Sequence, residues 1–184
     1  MIQVGISAFY HDSAVCVLKD GKVIVAAEEE RFTGLKHDSS FPEKALQWCL
    51  YEANIIDLNE VDEVCWYENP SIKKDRVIKI FNKRPFRTFF NRIKFLKSFK
   101  KEKNPEYIIR KEWGYNGKIT FVDHHLSHAA FSYLTSPYKD AAILTVDGVG
   151  EWETVTISKG DGENIEKKLS INFPHSLGML YSTL

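Results

Sequence analysis

Cysteine is scarce in this 184-residue chain: Cys16, Cys49 and Cys65 are odd in number, far apart, and each lies inside an apolar run. That argues against a disulfide framework or a cysteine zinc cluster, and fits reduced core thiols in the cytoplasm. Net charge is absent as well. Lysine plus arginine and aspartate plus glutamate number 25 each, so no global field draws the chain toward nucleic acid or a membrane surface. No segment approaches the ~20 consecutive apolar residues a bilayer span needs, and no basic region followed by an apolar stretch opens the chain. No export and no membrane span are expected. Also missing are a G-x-x-x-x-G-K-[ST] phosphate loop, a G-x-S-x-G elbow and a C-x-x-C pair, which argues against covalent serine or cysteine catalysis.

What is present suffices for a folded core, since 43% of the residues are apolar and the length suits one domain or slightly more. Strands are expected at Val4 to Ala8, Ala14 to Leu18 and Val23 to Ala27, with Asp20-Gly21 as the tight turn between the last two. Ser40, Pro42 and Glu43 resemble a capping box, after which Ala45, Leu46, Cys49, Leu50 and Ala53 recur at helical spacing. Val61 to Tyr67 reads as a fourth strand, stopped by Pro70. The second half expects a strand at Ile119 to Val122 and a helix from Leu126 to Leu134. A second meander follows at Ala141 to Val146, Glu153 to Ser158 and Ile165 to Phe173, with Gly160-Asp161-Gly162 as a turn and a helix start near Ser176. This is an α/β pattern, βββαβα and then the start of a second βββ set, which divides the chain into 1–140 and 141–184.

Lys73 to Lys103 differs from its surroundings, with thirteen lysines and arginines against Asp75 and Glu102, and six phenylalanines. Pro85 opens a helical stripe of Phe86, Phe89, Phe90, Ile93, Leu96 and Phe99. The stretch, extending over about 73–113, reads as an inserted amphipathic helical region. Either its Phe face packs on its own domain beneath a solvated basic face, the weightier reading, or it meets nucleic acid or a membrane surface.

His124 and His128 stand four residues apart just after a strand, so a helix there projects both imidazoles from one face, as a metal ligand pair requires. The plainer alternative makes His124 a helix cap and His128 a half-buried packing residue. Asp147 ends a strand and is followed by Gly148-Val149-Gly150-Glu151. It completes a two-His, one-carboxylate set suited to iron or zinc, and Gly148 and Gly150 admit close approach of a phosphate. The alternative is an acidic hairpin turn. His11-Asp12-Ser13 occupies the first turn. Glu28-Glu29-Glu30-Arg31 reads as a solvated strand end, and Lys36 either lies idle on the surface or, like Arg31, neutralises charge on a phosphate or carbamoyl oxygen.

Three segments taken together, GISAFYHDSAVCVLKDGKVIVAAEEERFTGLKHDSSFP, VDHHLSHAAFSY and LTVDGVGEW, resemble the NodU/CmcH class of O-carbamoyltransferases along nearly the whole chain. The resemblance implies an actin-like/sugar-kinase (RNase H-like) fold related to the threonylcarbamoyl-transferring enzymes. It also implies a metal held by His124, His128 and Asp147, with His11 and Lys36 as catalytic residues and His11 as base or hydrogen-bond partner. In that class a YrdC-like domain, with magnesium and ATP, makes carbamoyl-adenylate from carbamoyl phosphate. The actin-like domain then passes the carbamoyl group to a hydroxyl of a small-molecule acceptor such as a sugar, antibiotic or glycolipid. On this view the chain is an amino-terminal part, inactive alone and lacking the YrdC-like domain, and a homo-oligomer is compatible with it. Competing readings are an actin-like ATPase or sugar-kinase relative, and a nucleic-acid-binding module working through the basic segment.

Overall fold

The computed structural model describes residues 1–83 and 85–184, with the side chains of 84–88 outside the description. Its residues form two units, one of 1–67 and 89–121, the other of 68–88 and 122–184.

In the first unit, β1 (Ile2–Ser7), β2 (Ala14–Lys19) and β3 (Lys22–Glu28) form an antiparallel meander. Asp20 and Gly21, both at positive φ, make its second turn, as a two-residue hairpin requires. Chain reversal then gives way to crossovers: β4 (Glu63–Trp66) pairs parallel to β1, and β5 (Lys118–Phe121) parallel to β4. The resulting order, β3-β2-β1-β4-β5, with three antiparallel strands followed by two parallel ones, is the RNase H-like sheet of the actin-like fold. The short helix α1 (Glu30–Thr33) follows β3, and α2 (Glu43–Glu52) buries Ala45, Leu46, Cys49 and Leu50 against the sheet. Each fully buried leucine there contributes roughly 1.5–3 kcal/mol. The three cysteines are free thiols, Cys49 fully buried and the others half-buried in β2 and β4.

The start of α2 departs from the capping box. Ser40 turns back, donating its amide and hydroxyl to Asp38 at 2.9 and 2.7 Å, and Pro42 at the cap position supplies no side-chain bond. The helix amides of Lys44 and Ala45 are instead taken by the Glu29 carboxylate, at 3.2 and 2.7 Å. Glu29 is buried, 3% exposed, and is therefore not part of a solvated strand end. A carboxylate at a helix amino terminus satisfies otherwise orphaned donors and meets the positive end of the helix dipole.

The basic region contains α3 (Pro70–Asn82), which belongs to the second unit, and α4 (Pro85–Lys100), most of which belongs to the first. The side chain of Phe86 lies outside the description. Phe89, Phe90 and Ile93 are exposed, Phe90 by 80%, while Phe95, Leu96 and Phe99 are partly buried. The stripe does not pack as a whole: amphipathic spacing marks a face without saying what covers it. A short helical turn, α5 (Pro105–Tyr107), leads into a π-helical turn at Ile108–Glu112.

In the second unit, α6 (His124–Leu134) packs on a three-stranded antiparallel sheet, β6 (Asp140–Val146), β7 (Glu153–Asp161) and β8 (Asn164–Asn172), and α7 (Leu177–Thr183) closes the chain. Ala129, Tyr133 and Ile143 form its buried centre. Gly160 lies inside β7 and not in the turn, which falls at Gly162, φ 61°. A Cβ on Gly160 would enter the ring of Tyr133, so the glycine there makes room for an aromatic side chain. Among the described residues no helix is long and apolar enough to cross a membrane.

Candidate metal centre

The second unit brings His124, His128 and Asp147 together. Asp123 caps α6, its carboxylate taking the Leu126 amide at 3.0 Å, which leaves His124 free of capping duty as the first helical residue. One turn on, His128 shares its face. Nε2 of His124 lies 2.7 Å from an Asp147 carboxylate oxygen and 3.1 Å from Nε2 of His128, which lies 3.9 Å from the same oxygen. Tetrahedral zinc with bonds of about 2.0–2.1 Å sets its ligand atoms about 3.3 Å apart, and these spacings straddle that value. The donor set therefore fits a divalent ion that accepts imidazole and carboxylate.

The surroundings hold these groups in the required charge states. The His124 contact holds the Asp147 carboxyl down at about 2, against the opposing effect of burial, so the residue is anionic at neutral pH. Burial, reinforced by His124, lowers the His128 imidazole below its usual range and favours the neutral form a metal needs. Asp147 is oriented at both ends, since its second oxygen takes the Gly148 amide at 2.6 Å while its own amide donates to Thr154 O at 2.9 Å.

Gly148 and Gly150 follow Asp147 as expected, in different surroundings. A Cβ on Gly148 would meet only Met179 Cγ, at 4.0 Å, whereas one on Gly150 would enter the His124 ring. His11 and Lys36 lie in the first unit, on two exposed loops. There Asp12 bridges two imidazoles, one carboxylate oxygen 2.8 Å from His11 Nδ1 and the other 2.8 Å from Nδ1 of His37, the neighbour of Lys36. Asp12, Glu30 and His37 form a second cluster of ligand-type groups, in which the Glu30 carboxylate takes the His37 amide at 2.9 Å.

Sequence reasoning passed over several residues. His125, between the two candidate ligands, is buried. Its Nδ1 lies 2.6 Å from Thr145 Oγ1, which lies 2.7 Å from Thr156 Oγ1, and this polar chain pins α6 to β6 and β7. Ser176, expected as a helix start, caps α7, and what the sequence did not show is that it also donates to Gly148 O at 2.7 Å. At Gly178 a Cβ would enter the Asp147 backbone; a glycine so early in a helix was its one signal.

A model of the carbamoyltransferase N-terminus family matches residues 2–184. The chain belongs to that family. It is 40% identical over 97% of its length to the uncharacterized protein sll1178 of Synechocystis, covering 30% of that protein. It is 28% identical over 95% of its length to the nodulation protein NolNO of Sinorhizobium fredii, covering 25%. The chain thus spans between a quarter and a third of these relatives' length. Among solved structures, a Ppx/GppA enzyme of Aquifex aeolicus aligns with the whole chain and 55% of its own, at 14% identity and a TM-score of 0.42.

Proposed function

We propose that this carbamoyltransferase-family chain supplies the metal centre for moving a carbamoyl group from carbamoyl phosphate, by way of carbamoyl-adenylate, to an acceptor hydroxyl. The observation that carries this reading is the convergence of His124 Nε2, His128 Nε2 and an Asp147 oxygen, all within 4.8 Å of one another. Paired imidazoles favour iron or zinc over magnesium, which prefers oxygen ligands, and so favour transfer over the sugar-kinase alternative.

When bound, a divalent metal there supplies positive charge to a phosphoryl oxygen and helps AMP depart. Asp147 fixes the His124 ring and presents a permanent negative charge, and His128 offers a neutral lone pair. In the first unit, His11 has Nδ1 engaged by Asp12 and keeps Nε2 for the role of base that the resemblance gives it, and Lys36 is the cation of the neighbouring loop.

Metal stoichiometry tests the first half of this reading. The chain should take up one equivalent of zinc or ferrous iron, and His124→Ala or Asp147→Ala should reduce uptake at least tenfold, as loss of one ligand from a three-residue set implies. Wild type and variants equally free of metal would overturn it. Incorporation of labelled carbamoyl from carbamoyl phosphate and ATP into hydroxyl acceptors, by the polypeptide that carries this chain, tests the second half.

A further inference from the structure

Helix α3 carries a buried arginine with no hydrogen-bonding or ion-pair partner among the described residues. Arg76 is 8% exposed, and its Nε is sealed from solvent without an acceptor. Three acidic residues lie close enough for their charges to act on it, Glu68, Asp147 and Glu151, yet each is already engaged. The Glu68 carboxylate holds Lys73 Nζ at 2.7 Å, that of Glu151 takes the Asn69 amide, and that of Asp147 takes His124 and the Gly148 amide.

The same helix shows where Arg76 points. Asn69, which caps α3, is tied to Glu151, and Lys79 Nζ stands 5.3 Å from the centre of the Trp152 ring. Asn69, Lys73, Arg76 and Lys79 are spaced four, three and three apart and so share one helical face. Both ends of that face touch the turn that follows Asp147, and Arg76 lies between them on the helix, close enough to feel the charges of Glu68, Asp147 and Glu151. A buried guanidinium is ordinarily paired. One whose Nε lacks an acceptor, close to a carboxylate of a proposed phosphate-directed metal site, suits a tetrahedral oxyanion, because its planar fork matches two phosphoryl oxygens.

We propose that Arg76 is the anion-binding residue of this centre and receives a phosphoryl oxygen of the substrate that the His124, His128 and Asp147 set is proposed to hold. This rests on the metal reading above and extends it to the substrate's phosphoryl group.

Calorimetric titration of the chain with inorganic phosphate and with AMP, each with and without one equivalent of zinc, tests it on wild type, Arg76→Gln and Arg76→Lys. Loss of a charge-assisted pair predicts that Arg76→Gln weakens binding about ten- to hundredfold. Arg76→Lys, which keeps the charge but not the fork, should weaken it about tenfold. Zinc affinity should hold in both. Weakening with AMP and phosphate alike fixes the phosphoryl group as what Arg76 holds. Overturning results are wild type that binds neither anion, or a variant with an unchanged melting temperature and wild-type anion affinity. Should Arg76→Gln fail to fold, a folded Arg76→Lys with wild-type affinity overturns the proposal by itself. The two readings fail separately: zinc uptake without Arg76-dependent anion binding leaves the metal centre standing alone, and anion binding that needs Arg76 in a chain taking no zinc leaves the arginine site alone.

Discussion

The ring of His124 occupies the space that a side chain on Gly150 would need: a Cβ built there falls 2.6 Å from the ring's Cγ and closer still to Cδ2. The glycine after Asp147-Gly148-Val149 thus gives the histidine its place, and the candidate metal donor is set partly by the absence of a methyl group on the turn between β6 and β7. Gly150→Ala must displace the ring or the turn, at a cost of about 1–3 kcal/mol for overpacking, and zinc affinity should fall with it. Gly148→Ala, with only Met179 nearby at 4.0 Å, should leave zinc affinity unchanged. Melting curves and zinc titrations on the two variants check this, and equal behaviour of the pair would contradict it.

Glu29 offers a test of how α2 is held. Its buried carboxylate takes the Lys44 and Ala45 amides, so Glu29→Ala strands two helix donors and should destabilise the chain by about 1–3 kcal/mol, the range for a buried donor left unsatisfied. Glu29→Gln keeps one acceptor oxygen and should lose less. Urea unfolding measures both, and an undiminished Glu29→Ala would show that water serves the helix end equally well.

The strands, α2, α6 and the trio His124, His128 and Asp147 were legible because each depends on local spacing: alternation in a strand, a four-residue step on a helix, a carboxylate at a strand end. What escaped depends on contacts between residues far apart in sequence. Glu29 caps a helix that begins fourteen residues later, and nothing in a run of three glutamates marks which one is buried. Arg76 sits among lysines that read as one solvated face, and only the turn after Asp147, some seventy residues on, sets it apart. Gly160 passed for a turn residue because glycine has two uses, and the Tyr133 ring that explains it comes from another element.

Glu63 makes stability depend on acid. Lys118 at 2.7 Å, Thr120, and Gln3 at 2.9 Å all donate to its carboxylate, and these bonds, Lys118 first, draw its pKa down to about 2 from 4.5. A depressed folded-state pKa favours the native state above the unfolded value, so this contribution is complete above about pH 4.5 and drains away as pH falls toward about 2. Glu63→Gln should therefore cost most near neutrality and little at pH 2. The difference in unfolding free energy between wild type and variant, measured by denaturant titration at several pH values, should shrink on acidification; a constant difference would place the carboxylate outside the network.

Asp12 joins two loops by taking an imidazole on each oxygen, His11 at one and His37 at the other, while Asp12 and His37 both hold left-handed backbone conformations, φ 49° and 57°. The hydrogen bond from His37, then that from His11, lowers the Asp12 carboxyl, and the bond to Asp12 raises the His37 imidazole above 6.5. A raised histidine pKa favours the folded form below the unfolded value and loses that effect as pH climbs through the folded one, so the two loops should part progressively on the alkaline side of 6.5. Proton NMR should find the His37 ring titrating above 6.5 in wild type and lower in Asp12→Asn, where the hydrogen-bonded carboxylate is gone and Glu30 alone remains to favour the imidazolium. Because His11 shares that carboxylate, its Nδ1–H tautomer should weaken in the same variant, visible in the nitrogen shifts of the ring. A His37 midpoint that ignores the substitution would show that the two loops are held by their backbone bonds, Phe9 N to Ser39 O and Ser13 N to Asp38 O, and that Asp12 does not orient the proposed base.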